Sequence, residues 1–227
     1  LYDLELAFDR DCVRSYFGLR SVSARNGVLY LNGKKVFQRL VLDQGFYPDG
    51  IYTAPSDKEL ENDIHRSMAM GFHGARLHQK IFEARFLYHA DRLGYIVWGE
   101  HANWELDISR DSAWRFLPEW TESVERDFNH PSIIGWCPLN ETEKDQDEDF
   151  VRYVVNLTHT LDRTRPVIDT SGYIHIAGLS DFEDWHDYEQ DPEVLKKTYL
   201  DVAAGIPIRH PMAPYPLFPT FISEYGG

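Results

Sequence analysis

Charged, amide, imidazole and aromatic side chains follow most of the short apolar runs of this sequence. In chain order these side chains are Asp43, Gln44, Arg76, His78, Gln79, Glu100, His101, Asn140, Glu141, Trp185, His186, Asp187, Tyr188, Glu224 and Tyr225. If the apolar runs are parallel strands of a barrel, their carboxyl ends meet at one mouth and bring these side chains together. Two carboxylates on opposite walls of such a mouth suit the cleavage of a glycosidic bond. One protonates the leaving oxygen while the other attacks or stabilises the anomeric carbon.

Two other interpretations compete with this one. A single glutamate at a strand end is weak evidence, because the chain has 37 Asp and Glu residues and most such groups are solvated surface charges. A metal-dependent barrel hydrolase would draw on the histidines, but no His-x-His pair follows the first apolar run and His89 lies in a predicted helix. A non-catalytic carbohydrate-binding module also stays open.

The apolar runs alternate with amphipathic stretches of helical length, which is the pattern of repeated βα units. Seven runs are predicted strands, at residues 37–42, 74–77, 95–98, 133–137, 167–170, 182–186 and 220–223. Four predicted helices lie between them, at residues 56–70, 82–93, 112–128 and 147–161. The first helix begins with the capping box Ser56-x-x-Glu59, and the second ends at Gly94.

This alternation predicts a (β/α)8 TIM barrel. Residues 41–45 read VLDQG and lack a GxGxxG phosphate loop, which argues against a nucleotide-binding doubly wound sheet. Residues 1–22 alternate apolar and polar side chains, and we interpret them as a half-buried sheet at the end of a preceding immunoglobulin-like β-sandwich domain. Asn32-Gly33 predicts a hairpin that opens the next domain. Residues 23–227 are then a catalytic barrel truncated after its seventh strand, with the eighth βα unit absent.

The charge balance excludes some partners. Lys+Arg 23 against Asp+Glu 37 gives a net charge of −14, so neither nucleic acid nor an anionic membrane is an expected partner. No apolar stretch reaches the roughly 18 residues that a spanning helix needs. Cys12 and Cys137 are too few for a disulfide scaffold, so a cytoplasmic and a periplasmic location both stay open. The unpaired edge of a seventh strand would permit a homo-oligomer.

Several runs of the sequence resemble glycoside hydrolase family 2, the family of β-galactosidases, β-glucuronidases and β-mannosidases. NHPSIIGWCPLNE at residues 129–141 resembles the family's fourth-strand segment, whose final Glu is the general acid/base. FISEYGG at residues 221–227 resembles its seventh-strand segment, whose Glu is the nucleophile. GFHGARLHQK and FLYHADRLGYIVWGE are similar to its second and third strands. The resemblance covers residues 12–227, and the order and spacing of the segments agree.

The resemblance implies that Glu141 is the acid/base and Glu224 the nucleophile of a retaining enzyme, with carboxyl groups about 5 to 5.5 Å apart. Asn140 would hydrogen-bond the sugar 2-hydroxyl, and Tyr188 matches the family's Tyr that contacts the nucleophile. A hydroxyl that donates to a carboxylate keeps it ionised for attack, whereas the acid must hold its proton near neutrality. The resemblance further implies exo action on a terminal neutral β-linked sugar such as galactose.

The second-strand segment departs from the family's Arg-Thr-Ser-His-Tyr-Pro. Here it reads RLHQKI at residues 76–81, which places Gln79 on the family's histidine and His78 one residue earlier. Neighbouring strand residues face opposite sides, so both line the pocket only if the strand has ended before them. Metal-dependent members have Glu-x-His shortly after the third strand, but WELD at residues 104–107 lacks it. We therefore expect no required metal and no other cofactor.

The remaining candidates support the site or bind the substrate. Arg76 is interpreted as a buried strand-end arginine that pairs with a carboxylate such as Glu224. Trp104 and Trp185 would stack on the apolar face of a pyranose or pack beneath loops. The predicted substrate-binding set is Asn140, Tyr188, Arg76, His78, Gln79, His186, Trp104 and Trp185. The predicted function is a β-galactosidase-like retaining β-glycosidase, and the alternative is an inactive or non-catalytic carbohydrate-binding barrel fragment.

Overall fold

The computed structural model describes residues 1–204, 206 and 218–226. Its strands are β1 Tyr2–Phe8, β2 Asp11–Phe17, β3 Val22–Arg25, β4 Val28–Leu31, β5 Lys34–Val36, β6 Leu40–Asp43, β7 Gly74–Leu77, β8 Ile96–Glu100, β9 Ile133–Cys137, β10 Leu139–Asn140, β11 Thr170–Ser171, β12 Glu183–Asp187 and β13 Thr220–Tyr225. Its α-helices are α1 Asp57–Ala69, α2 Ala84–Leu93, α3 Ala113–Asp127, α4 Glu148–Leu161 and α5 Pro192–Ala203. A short 3₁₀ helix, Arg110–Ser112, precedes α3.

The hairpin β1–β2 forms from the period-two pattern but lacks the half-buried face that the pattern suggested. Its strands pair antiparallel from Tyr2 with Phe17 to Phe8 with Asp11. Leu6 is 56% exposed and Phe8 85% exposed. Alternation predicts only which side chains lie on the same face of the hairpin. Burial of that face requires another surface packed against it, and within the described chain none covers Leu6 or Phe8. The assignment of residues 1–22 to a preceding sandwich domain stays a prediction.

A second antiparallel unit, β3–β4–β5, leads into the parallel strands. The turn between β4 and β5 is Asn32-Gly33, and both residues have positive φ angles, 52° and 73°. A type I′ turn requires this conformation at its two central positions. The predicted hairpin is therefore confirmed.

The parallel strands carry the barrel. β6, β7, β8 and β9 are hydrogen-bonded in that order, β10 pairs with β11, and β12 pairs with β13. The predicted fifth strand is wrong in extent, because Val167 makes an isolated bridge to β9 and the strand β11 begins only at Thr170. Two aspartates explain the break: the carboxylate of Asp181 accepts the Val167 N–H and that of Asp169 accepts the Thr170 N–H. The aspartate side chains thus accept backbone N–H groups that would otherwise donate to a neighbouring strand.

The four predicted helices are confirmed to within two residues at each end. Ser56 Oγ accepts the Glu59 N–H at 3.3 Å, as the capping box requires. Gly94 ends α2 in the left-handed conformation at φ 71°. Helix α5 is absent from the sequence prediction, although its start carries a recognisable signal, since the carboxylate of Asp191 accepts the Glu193 N–H at 2.9 Å.

Two apolar clusters pack on the two faces of the parallel sheet. The outer cluster lies between strands and helices, and there the rings of Trp120 and Trp136 are 5.7 Å apart. The inner cluster surrounds Trp98, whose ring lies edge-on to Phe182 at 5.2 Å and stacks on Phe221 at 5.4 Å. Trp98 therefore packs β8 against the segments of β12 and β13 across the interior. The inner cluster closes the space beneath the barrel mouth.

Both cysteines are free thiols, Cys12 exposed and Cys137 buried in the inner cluster. Burial raises the pKa of the Cys137 thiol well above its usual value, so it packs as a neutral core group. Among the helices that the structure describes, none combines the length and the apolar character needed to cross a bilayer.

Candidate active site

The barrel mouth brings Glu141 and Glu224 together, although they are far apart in the sequence. Glu141 directly follows β10 with a φ of 49°, and its N–H donates to Ser171 O at 2.7 Å. Glu224 lies in β13, in register with His186 of β12. One carboxylate oxygen of Glu141, one of Glu224 and one ring nitrogen of His186 lie within 4.8 Å of one another. Strand β10, strand β12 and strand β13 thus converge on one cluster of ionisable groups.

Arg76, at β7, is the centre of the hydrogen-bond network around this cluster. It is 1% exposed, and its Nε donates to Glu100 Oε2 at 2.7 Å. Nη1 donates to Glu224 Oε1 at 2.7 Å and Nη2 to Asn140 Oδ1 at 2.5 Å. Burial alone would lower the pKa of Arg76, but the charges of Glu100 and Glu224 outweigh burial and hold that pKa above its usual value. The predicted pairing of Arg76 with Glu224 is confirmed.

Glu224 receives a second hydrogen bond from Tyr188, whose Oη donates to Oε2 at 2.6 Å. Burial alone would raise the pKa of Glu224, but the bond from Tyr188 and the charge of Arg76 hold that pKa below its ordinary value. Burial and the neighbouring carboxylate in turn raise the pKa of the Tyr188 hydroxyl. Glu224 is therefore an ionised carboxylate at neutral pH, with a hydrogen-bond donor on each oxygen.

Asn140 presents a hydrogen-bond donor that no protein group uses. Its side chain is fully buried, and because Arg76 engages Oδ1, the amide nitrogen Nδ2 is the free end. Nδ2 has no hydrogen-bond partner among the residues that the structure describes. Buried donors without partners are rare in proteins, so this one is suited to meet a ligand oxygen.

Asn103, which is not among the residues predicted for the site, holds the backbone of Asn140. Asn103 Nδ2 donates to Asn140 O at 3.0 Å, and the Asn140 N–H donates to Asn103 Oδ1 at 2.8 Å. This paired contact fixes the residue before Glu141 against the loop that follows β8. No local sequence signal could have found Asn103, because only the fold brings that loop beside β10.

His78 and Gln79 both reach this network because β7 has ended before them and Gln79 adopts a φ of 50°. His78 Nδ1 lies 2.9 Å from Glu100 Oε1. Gln79 Oε1 accepts the N–H groups of Asn103 and Trp104 at 2.9 and 3.0 Å. Gln79 Nε2 is buried with no hydrogen-bond partner in the described part of the chain. The amide oxygen of Gln79 therefore holds the loop after β8, and its amide nitrogen is an unused donor.

The two tryptophans predicted as sugar platforms lie in different surroundings. Trp104 is 61% exposed, and its ring is 5.6 Å from that of His78 in an edge-on arrangement. Trp185 is 2% exposed, and its Nε1 donates to Tyr199 Oη at 3.0 Å. This corrects the expectation that Trp185 stacks on a sugar. Successive strand residues face opposite sides, and His186 takes the side that faces the mouth.

Tyr173 joins the site without having been predicted. It follows β11, its ring is 6.2 Å from that of His186, and 43% of it is exposed. The negative charge of Glu141 raises the pKa of the Tyr173 hydroxyl. Its role cannot be read from the sequence, because Tyr173 lies after the predicted fifth strand at residues 167–170 and outside every predicted element.

The residues that could bind a metal ion belong to the same cluster. Among the described residues, Glu141, His186 and Glu224 form the group of imidazole and carboxylates close enough to share one ion. The same atoms are engaged with one another, since His186 Nδ1 lies 2.9 Å from Glu141 Oε1. The expectation that no metal is required stays a prediction.

Comparisons with curated proteins connect this chain to β-glycosidases. It is 30% identical over 177 residues to a β-galactosidase of Thermoanaerobacterium thermosulfurigenes, covering 74% of this chain and 23% of that protein. It is 27% identical over 180 residues to a β-glucuronidase of Streptococcus agalactiae, covering 70% of this chain and 30% of that protein. The chain thus spans less than a third of the length of these relatives.

Solved structures share the fold. A β-D-glucuronidase of Dictyoglomus thermophilum superposes with a TM-score of 0.75 at 20% identity, covering 99% of this chain and 42% of that one. A β-glucuronidase of Bacteroides uniformis gives 0.76 at 19% identity, covering 96% and 28%. Identities this low support an α/β barrel and no more. A family model described as "Glycosyl hydrolases family 2, TIM barrel domain" matches residues 92–226, more than half of the chain. The chain therefore belongs to glycosyl hydrolase family 2 and carries sequence of its TIM-barrel domain.

Proposed function

We propose that this protein is a retaining β-glycosidase that hydrolyses terminal β-linked sugars, with Glu141 as general acid/base and Glu224 as nucleophile. The observation that carries the proposal is the proximity of the two carboxylates, an oxygen of each lying within 4.8 Å of the other. Retaining glycosidases hold their carboxyl groups about 5 to 5.5 Å apart, whereas inverting enzymes need about 6.5 to 9.5 Å to admit a water molecule. The short separation supports double displacement with retention.

The reaction proceeds in two steps. In the first, Glu224 attacks the anomeric carbon while Glu141 gives its proton to the leaving oxygen, and a covalent glycosyl-enzyme forms. In the second, Glu141 takes a proton from water, the water oxygen attacks the anomeric carbon, and the carboxylate of Glu224 leaves. Arg76 and Tyr188 suit this scheme because their hydrogen bonds favour the ionised form of Glu224 and orient its oxygens.

The unpartnered amide donors supply sugar contacts in this proposal. Asn140 Nδ2 donates to the 2-hydroxyl, an interaction that strengthens in the transition state. Gln79 Nε2 is a second donor for a ring hydroxyl, and His78 lies beside it. The exposed ring of Trp104 offers an apolar surface for one face of a pyranose.

A neutral sugar such as galactose suits the cluster better than a uronic acid. Among the described side chains, Arg76 is the permanent cation that reaches the carboxylates, and it already bonds Glu100, Glu224 and Asn140. A sugar carboxylate beside Glu224 would need a further cation to offset its charge. The relatives' names include both β-galactosidases and β-glucuronidases, so a test must offer both sugars.

The test incubates the full-length protein with 2-deoxy-2-fluoro β-glycosyl fluorides of galactose, glucose, mannose and glucuronic acid. These reagents accumulate the covalent intermediate, and peptide mass spectrometry is expected to find the galactosyl label on the peptide that contains Glu224. The variant Glu224→Gln should take up no label, whereas Glu122→Gln, an exposed change on α3, should label as the wild type does.

Other outcomes of this experiment contradict separate parts of the proposal. A label on another carboxylate would contradict the assignment of the nucleophile. A preference for the glucuronyl reagent would contradict the neutral sugar. A folded protein that takes no label from any reagent would favour a carbohydrate-binding barrel without catalysis.

A further inference from the structure

Tyr173 is an exposed aromatic residue beside the proposed acid/base. Strand β10 pairs in parallel with β11, and Asn140 lies opposite Ser171, so the residues after the two strands leave the sheet side by side. The Glu141 N–H donates to Ser171 O, and Tyr173 follows two residues later. The ring of Tyr173 is 6.2 Å from that of His186, whose Nδ1 is 2.9 Å from Glu141 Oε1. Tyr173 is nevertheless 43% exposed, so its ring is open to a ligand at the barrel mouth.

The turn that carries Tyr173 is held on both sides. Before it, the Gly172 N–H donates to Oδ1 of the fully buried Asp184 at 2.7 Å. After it, the carbonyl oxygen of Ile174 accepts a hydrogen bond from Thr170 Oγ1 at 2.7 Å. The backbone is thus fixed while the side chain stays exposed. A group presented in this way has little conformational entropy to lose when a ligand covers it.

The position of the acid/base defines where the leaving group of a substrate must lie. To protonate the glycosidic oxygen, the carboxyl group of Glu141 must come within about 2.6 to 3.2 Å of it. The aglycone, which is the group that leaves with this oxygen, therefore begins next to Glu141. The sugar that is cleaved contacts the nucleophile Glu224, whose tyrosine partner is Tyr188. Tyr188 thus belongs to the side of the cleaved sugar, and Tyr173 to the side of the aglycone.

We propose, on the basis of the proposed function, that Tyr173 forms an aglycone subsite in which its ring packs on the flat face of an uncharged ring of the leaving group. An aryl ring would stack on the tyrosine in an offset arrangement, and a pyranose would place its apolar face on it. Both aglycones offer the same contact, so the experiment must include both. The expected consequence is a loss that depends on what the sugar is attached to.

The charges around Tyr173 favour an uncharged aglycone. The negative charge of Glu141 raises the pKa of the Tyr173 hydroxyl, and the charges of Glu143 and Glu224 act in the same direction. These carboxylates would repel a leaving group that carries a carboxylate or a sulfate. A neutral ring avoids that repulsion and still covers the exposed face of Tyr173.

The kinetic test uses the full-length protein with Tyr173→Ala, which removes the ring, and Tyr173→Phe, which removes only the hydroxyl. The control is Tyr153→Ala, a change of an exposed tyrosine on α4. The sugar that labels Glu224 is supplied as its β-fluoride, as its phenyl β-glycoside and β-linked to glucose. The fluoride has no aglycone ring, so it reports on the two carboxylates without the subsite.

With the phenyl glycoside or the disaccharide, we expect Tyr173→Ala to lower kcat/KM by about 10-fold and Tyr173→Phe to stay within about twofold of the wild type. With the fluoride, both variants should stay within about twofold. A loss with the phenyl glycoside alone would support an aryl aglycone, and a loss with the disaccharide alone would support a sugar.

Two results would overturn the proposal. If Tyr173→Ala lowers activity equally with the fluoride and with both ring-bearing substrates, or with none of them, the residue does not bind the aglycone. If Tyr173→Phe loses as much as Tyr173→Ala, the hydroxyl is responsible and the ring is not.

A second measurement probes the subsite without a leaving group. The isolated 2-fluoroglycosyl enzyme is incubated with benzyl alcohol or with 4-(hydroxymethyl)benzoate, and the return of activity is followed. The acceptor hydroxyl gives its proton to Glu141, its oxygen attacks the anomeric carbon, and the carboxylate of Glu224 leaves. We expect benzyl alcohol to speed reactivation, and Tyr173→Ala to need about 10-fold more of it for the half-maximal rate.

The benzoate is expected to be at least about fivefold less effective than benzyl alcohol in the wild type, because of its charge. Equal acceptor concentrations for wild type and Tyr173→Ala would overturn the subsite, and equal rates with the two acceptors would overturn its preference for an uncharged ring. Failure of the proposed function would look different, since the wild type would then take no label from any fluoride.

Discussion

Arg76 joins β7 to β13 through a 2.7 Å hydrogen bond from its Nη1 to Glu224 Oε1. The same guanidinium bonds Glu100 of β8 and Asn140 of β10, so the position of Glu224 depends on four strands at once. A planar fork with donors in fixed directions can meet these three groups together, whereas a single ammonium cannot. Removing the cation would leave buried carboxylates uncompensated, which is more destabilising than losing an exposed ion pair.

Replacement of Arg76 by lysine tests this relationship. We expect Arg76→Lys to lower kcat by about 100-fold, because Glu224 and Asn140 lose their common anchor. The free energy of unfolding should fall by about 3 kcal/mol. Kinetics on the substrate identified by labelling and urea unfolding measure the two effects. Arg66→Lys, an exposed change on α1, is the matched control and should stay within about 0.5 kcal/mol. Wild-type kcat in Arg76→Lys would contradict the anchoring role.

The hydrogen bond from Tyr188 to Glu224 should set the acid limb of activity. That bond lowers the pKa of Glu224, and the ionised form is needed for attack, so activity is lost as pH falls through this pKa. In Tyr188→Phe the pKa rises, and we expect the acid limb of kcat/KM to move up by about half to one pH unit. The alkaline limb should not move. Tyr153→Phe, an exposed change on α4, should leave both limbs in place.

Asn103 should act on catalysis through the backbone of Asn140. We expect Asn103→Ala to lower kcat by about 10-fold with little change in KM, because the residue before Glu141 loses both of its bonds to Asn103. The free energy of unfolding should fall by about 2 kcal/mol, since two buried backbone groups lose their partners. Asn62→Ala on α1, where the amide contacts Glu59, is the control. A raised KM with unchanged kcat would instead indicate direct substrate binding.

Local signals predicted the elements whose bonds are made within a few residues. Ser56, Gly94 and the Asn32-Gly33 turn each satisfy their backbone groups nearby, and each is found as expected. The extent of the fifth strand was predicted wrongly because of Asp169. Its carboxylate accepts the N–H groups of Thr170 and Ile176 and contacts the His175 ring, all of which follow it in the chain. Such competition between a side chain and a neighbouring strand leaves no trace in apolar periodicity.

Residue types at strand ends predicted the charged part of the site, because opposite charges at one barrel mouth must pair. The pair of Arg76 with Glu224 follows from that rule. The hydrogen bonds from the loop after β8 to Gln79 do not follow from that rule. They depend on the left-handed backbone conformation of Gln79 and on the path of the loop. The alternation of β12 could have separated Trp185 from His186, because adjacent strand residues face opposite sides.

His175 lies between two aspartates, Asp169 before β11 and Asp184 of β12. Its Nδ1 is 2.7 Å from Asp169 Oδ1, and its Nε2 is 2.6 Å from the carbonyl oxygen of Asp184. Burial alone would lower the pKa of His175, but the hydrogen bond to Asp169 and the charges of both aspartates raise it to about 9. The folded state therefore binds the imidazole proton more tightly than the unfolded state does, and stability depends on pH.

The contribution of His175 should be complete below about pH 6.5, the ordinary value of an unfolded histidine, and should be lost as pH rises through about 9. We expect up to about 3 kcal/mol of the free energy of unfolding to disappear across this window. Urea unfolding at intervals from pH 6 to 10 measures it. In His175→Gln the difference from wild type should be largest at pH 6 and shrink towards pH 10, whereas His65→Gln should run parallel to wild type. A constant difference between His175→Gln and wild type would contradict a charged His175 in the folded protein.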